Sequence, residues 1–84
     1  MNYHELKCYT ERYAILNSGK CTADLRRNDR DFKEGDTIIY KEGSYDNGSF
    51  VFTGNSFKAT ITYVDTWCIE KGLALLSIIK SWMR

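Results

Sequence analysis

The chain has 84 residues, 43 % hydrophobic and 14 % aromatic. That suits one small globular domain over residues 1–84, excludes a disordered chain, and leaves no room for a second core. Twelve Lys and Arg against eleven Asp and Glu give a formal net charge of +1, which excludes coating of nucleic acid by bulk attraction but permits a local basic patch.

Cys8, Cys21 and Cys68 are odd in number and widely spaced, which argues against a secreted disulfide framework and for buried free thiols. Together with His4, the single histidine, they match no zinc-ligand spacing, so neither a metal nor a cofactor is expected. The amino terminus lacks a basic start followed by an apolar run, and the apolar stretch Leu73–Ile79 is too short to span a bilayer. Cytoplasmic residence without a membrane partner is the expectation.

His4 to Tyr9 alternates loosely and reads as a first strand. Thr10 is placed as an N-cap, with Glu11 in the first turn and Gly19 as the stop, which predicts a short helix over Thr10–Ser18. So short a helix must pack its Tyr13, Ile15 and Leu16 side on a sheet. Thr22 to Arg27 alternates again. The pattern places Ala23 and Leu25 toward the core and Thr22, Asp24 and Arg26 on the opposite face.

Asn28–Asp36 is polar and turn-like, with Phe32 plugging inward and a tight turn at Gly35-Asp36. Thr37–Glu42 is β-branched and aromatic, a strand. Asp46-Asn47-Gly48 signals a hairpin, Phe50–Thr53 returns, and Gly54-Asn55-Ser56 breaks it. In Phe57–Val64 the residues Phe57, Ala59, Ile61 and Tyr63 share one face. Leu73–Ile79 fits a helical period but also a strand buried on both faces, and is taken as strand. The sum is an α+β, mainly β fold: a small, partly closed barrel of five or six strands with one short helix after the first.

Gly19-Lys20-Cys21-Thr22-Ala23-Asp24-Leu25-Arg26 resembles the G-x-K-x-x-E-x-R signature of the ASCH (activating signal cointegrator homology) domains, in the PUA-like superfamily of β-barrels. His4-Glu5-Leu6-Lys7, Arg26-Arg27-Asn28-Asp29-Arg30-Asp31-Phe32, Gly35-Asp36, Thr53-Gly54 and Thr62-Tyr63-Val64 extend the likeness to small single-domain bacterial and phage members. Gly19 and Arg26 match the signature outright. Its Lys falls at Cys21 and its Glu at Asp24, while Lys20 sits one place early and so points to the other face.

The resemblance implies a cleft beside the helix, lined by the signature, and RNA binding by analogy with PUA domains. Some relatives hydrolyse acylated cytidines with a Lys, Thr and Glu set, and others show ribonuclease activity. Three functions follow. In the first, an RNA or nucleotide is bound by Lys20, Thr22, Asp24, Arg26, Arg27 and Arg30, the arginines gripping phosphate or stacking on a base. Asp24 accepts from a base or orients Arg26. Tyr45 and Trp67 either stack on an unpaired base or merely pack at an edge. In the second, a hydrolase of modified nucleosides, Cys21 and Asp24 remove two of the required groups, and Cys21 is expected on the core side, where a thiol is inert. In the third, a ligand-free accessory factor docks on a protein through an apolar tail at Trp82 and Met83.

Overall fold

A computed structural model describes residues 2–67 and 69–81. The elements run β1 (Tyr3–Tyr9), α1 (Thr10–Ser18), β2 (Ala23–Arg27), β3 (Thr37–Asp46), β4 (Ser49–Asp65) and β5 (Leu73–Lys80). They form one mixed five-stranded sheet in the order β1-β3-β4-β5-β2. β1 pairs with β3 in parallel, and the other three pairings are antiparallel. The α+β character, the single helix and the strand at Leu73 are as expected.

The barrel is not. β1 and β2 are the two edges of an open sheet and share no ladder. Side chains bridge them instead: the guanidinium of Arg26 in β2 donates to the Lys7 carbonyl of β1 at 3.2 Å.

One face of the sheet, closed over by α1, holds the core. Leu6 and Cys8 of β1, Ile38 and Tyr40 of β3, Phe57, Ala59 and Ile61 of β4 and Ala74, Leu76 and Ile78 of β5 are buried there. Phe32 plugs the rim from the loop, as its isolation in a polar segment implied. The helix buries Tyr13 and Leu16, Tyr13 meeting the Phe57 ring edge-on at 5.3 Å. Ile15 points to solvent, because it is two residues from Tyr13 and so on the opposite face of a 3.6-residue turn. β1 runs straight into the helix, so Tyr9 and not Thr10 occupies the N-cap position, in extended conformation and without a side-chain cap. Gly19 closes the helix in the left-handed region (φ 82°), its amide donating to the Leu16 carbonyl.

β2 reverses the expected faces. Asp24 is buried, at 5 % exposure, whereas Leu25 is 55 % exposed. Register explains this: Asp24 lies opposite Leu76 and Arg26 opposite Ala74, both core residues of β5, while Leu25 lies opposite Leu75 on the outer face. The inward face of β2 borders the open gap between the edges, where polar groups find partners. β5, for its part, buries one face and only half-covers the other.

β4 is one strand of 17 residues, and Gly54-Asn55-Ser56 bends it without ending it. The register of β3 slips between Lys41 and Gly43, opposite the bend. There Glu42 accepts from Thr53 Oγ1 (2.9 Å) and Asn55 Nδ2 (3.0 Å). These donors, Asn55 foremost and then Thr53, hold the Glu42 carboxyl below its usual pKa. A second slip between Ile61 and Tyr63 turns Tyr63 out of the core row in which alternation placed it. The hairpin signal is met by a two-residue turn, Asn47 (φ 52°) and Gly48 (φ 84°).

At the far rim, Asp36 is buried and accepts from His4 Nε2 (2.8 Å), the Lys33 amide (3.0 Å) and the Asn2 amide (3.2 Å). Cys8 is a buried free thiol, raised in pKa chiefly by burial. Cys21 is half-buried against the core, its thiol 3.3 Å from the Ala23 carbonyl. Cys68, Trp82 and Met83 lie outside the described residues. Among the described residues no helix is long and apolar enough to cross a membrane.

Candidate functional site

Asp24 is the hub of the gap between the sheet edges. Its Oδ2 accepts from Arg26 Nε and from the Tyr40 hydroxyl, each at 2.8 Å, and its Oδ1 lies 3.9 Å from Arg12 of the helix. Burial, reinforced by the Asp24 carboxylate, pushes the Tyr40 phenol far above its ordinary pKa, so it stays protonated and donates. Arg26 is thus held at Nε by Asp24 and at Nη2 by the Lys7 carbonyl, its guanidinium 5.8 Å from the Tyr40 ring centre. Two fixed bonds on one planar fork aim its remaining edge outward.

That edge looks onto three adjoining grooves, all lined by Lys7 and Arg26. The first, of about 350 Å³, adds Arg27, Arg30, Lys41 and Phe52. The second, about 420 Å³, runs beside the helix past Arg12 and Asp24. The third, about 210 Å³, is closed by Tyr9, Tyr45 and Phe50. Two carboxylates enter the first groove, Glu5 and Asp29, and Glu5 is spoken for by Lys41 at 3.3 Å. A chain nearly neutral as a whole therefore concentrates cations where its two sheet edges face each other.

Of the residues named from the signature, the structure gathers Asp24, Arg26, Arg27 and Arg30 and leaves two aside. Lys20 and Thr22 line none of the three grooves. Thr22 precedes β2, where its carbonyl accepts from the Ile78 amide. Asp24 takes the second of its anticipated roles, orienting Arg26. Tyr45 borders the third groove, whereas Trp67, 80 % exposed, borders none of them. Lys7, Lys41, Tyr9, Phe50 and Phe52 were not foreseen. The hairpin turn held the clue: Asn47-Gly48 pairs Tyr45 with Phe50, bringing two aromatics onto one face.

Gly43 makes this corner possible. A methyl group there would fall 2.5 Å from the Phe50 ring and 2.5 Å from the Val51 carbonyl oxygen. Backbone as well as ring would have to move. Gly43→Ala is expected to cost about 1–3 kcal/mol in chemical denaturation and to shift the ring resonances of Phe50 and Tyr45. Unaltered spectra would mean the corner is looser than its geometry.

Residues 3–78 match the family model described as a domain of unknown function, DUF3850. The chain belongs to the DUF3850 family. This DUF3850 domain is also 38 % identical over 61 residues to an uncharacterized 12.9 kDa protein in the GpA 3′ region of Escherichia phage P2. The match takes in 73 % of this chain and 52 % of that protein, so the domain spans about half the length of its phage relative. Among the described residues of the DUF3850 domain, no group of three or more His, Cys, Asp and Glu is placed to hold a metal ion. His4 is engaged with Asp36 and packs on Phe32, 4.8 Å between ring centres.

Proposed function

We propose that this DUF3850 domain is an ASCH-like binding module for RNA or a nucleotide, its ligand lying in the grooves around Arg26. The observation that carries this reading is the pre-set guanidinium: Arg26 is locked by Asp24 and the Lys7 carbonyl and flanked by Lys7, Arg27, Arg30 and Lys41. Such a fork suits phosphate, and the surrounding cations add attraction without sequence preference. The free thiols Cys8 and Cys21 suit a reducing, cytoplasmic setting. Binding is favoured over hydrolysis. Cys21 lines none of the grooves, and Asp24 is committed to Tyr40 and Arg26.

The test is a salt titration of binding to a short single-stranded RNA. Each phosphate contact on a single strand contributes a slope of about −0.7 on the double-logarithmic plot. Replacing Arg27 and Arg30 by Gln should make the slope shallower by about 1.4 if each meets one phosphate, with little change in stability because both side chains are solvent-exposed. Wild-type affinity that ignores salt, or the absence of binding, would overturn the reading.

A further inference from the structure

The 210 Å³ groove combines features that the phosphate argument leaves unused. It is bounded by Lys7 and Arg26 on one side and Tyr9, Tyr45 and Phe50 on the other, with no carboxylate in its lining. Its aromatics form a connected cluster. Phe50 meets Tyr45 edge-on at 5.2 Å and Phe52 at 5.1 Å, and Tyr9 lies 6.1 Å from both Tyr45 and Phe50. Lys7 sits 5.3 Å over the Phe50 ring, at the seam between cluster and groove, and Lys41 lies 5.2 Å over Phe52 next to it. Yet Tyr9, Tyr45 and Phe52 are all exposed. Large aromatics clustered at a surface, with Lys7 and Arg26 beside them and no acid in the groove they share, are costly to leave facing water and poorly suited to the core.

We propose that Tyr9, Tyr45 and Phe50 form a seat for one unpaired nucleobase, with the phosphates on either side of that base carried by Lys7 and Arg26. The ligand is then single-stranded RNA or an RNA loop, and paired duplex is rejected because its bases keep their faces covered. Phe50 sets the floor and Lys7 caps its ring, which leaves Tyr45 and Tyr9 to stack on the base. Gly43 permits the arrangement by letting Phe50 lie against the backbone. The inference rests on the RNA reading above but asks for more: the base itself must contribute, beyond its phosphate.

An abasic strand separates the two claims, because it keeps the phosphates and lacks the bases. An RNA oligonucleotide of about eight residues, its fully abasic counterpart and the matched duplex are titrated by fluorescence anisotropy against wild type and Tyr45→Ala. The expected result is that wild type binds the single strand about 5- to 100-fold more tightly than the abasic strand, and that Tyr45→Ala loses most of that margin. Tyr45→Ala should bind the abasic strand as wild type does, which also shows that the variant is folded. Base protons of the bound strand should move upfield through the ring currents of Tyr45 and Tyr9. Equal affinity for base-bearing and abasic strands, or tighter binding of duplex, overturns the base seat while leaving the phosphate site intact. Failure of wild type to bind any of the three overturns both.

Discussion

Asp24→Ala should destabilise the fold by about 3–5 kcal/mol, the largest effect expected of any single charged residue here, and should also weaken RNA binding. The carboxylate is buried and accepts from both the Tyr40 hydroxyl and Arg26 Nε. Its removal leaves a buried phenol without an acceptor and an arginine without the partner that sets its plane. Each lost buried partner is costly because water does not replace it. Asp24→Asn should lose less, since the amide oxygen can still accept from Tyr40. Arg26→Ala takes from the buried carboxylate one of its two close donors, the Tyr40 hydroxyl remaining, so the proposed ligand group is also part of the framework. Urea denaturation of the two single variants and the double variant checks the account, with the double expected to be clearly less destabilised than the sum. Strict additivity would show that the two residues do not act together.

Asp36 should make the domain acid-sensitive. Burial alone would raise its pKa, but the His4 hydrogen bond, with the amides of Asn2 and Lys33, outweighs that and holds it below the ordinary value. The native state therefore binds this proton less readily than the unfolded chain does. Its contribution is fully present above the unfolded carboxyl pKa of about 3.9 and is lost as pH falls through the lower folded value. Asp36→Ala, which leaves three donors without an acceptor, should cost about 3 kcal/mol at neutral pH. Relative to wild type, it should show a flatter decline of stability below about pH 4. A parallel decline in both proteins would assign the acid sensitivity to other carboxyls.

Much of this architecture was legible in the residues because local chemistry specifies it. Gly19 ends the helix since its left-handed backbone carries no side-chain penalty. Asn47-Gly48 makes the hairpin because both turn residues must be left-handed, which Asn tolerates and Gly adopts freely. The alternation of Phe57, Ala59 and Ile61 assigns a buried face by strand geometry alone. The signature region was half legible: Arg26, Arg27 and Arg30 line one groove, while the side on which Asp24 lay was inverted.

What the linear chain determined by itself is the helix with its glycine stop, the Asn47-Gly48 hairpin and the cluster of arginines, because these depend on contacts within a few residues. The ends of β3 and the continuity of β4 through Gly54-Asn55-Ser56 did not follow from it. Tertiary pairing decided the rest. Apolar-to-polar alternation placed Leu25 inward, but the register against β5 and a phenol waiting across the gap turned Asp24 inward instead. Whether the sheet closed, and whether Lys7 of the first strand would stand beside Phe50 some forty residues later, depended on long-range pairing that no local pattern encodes.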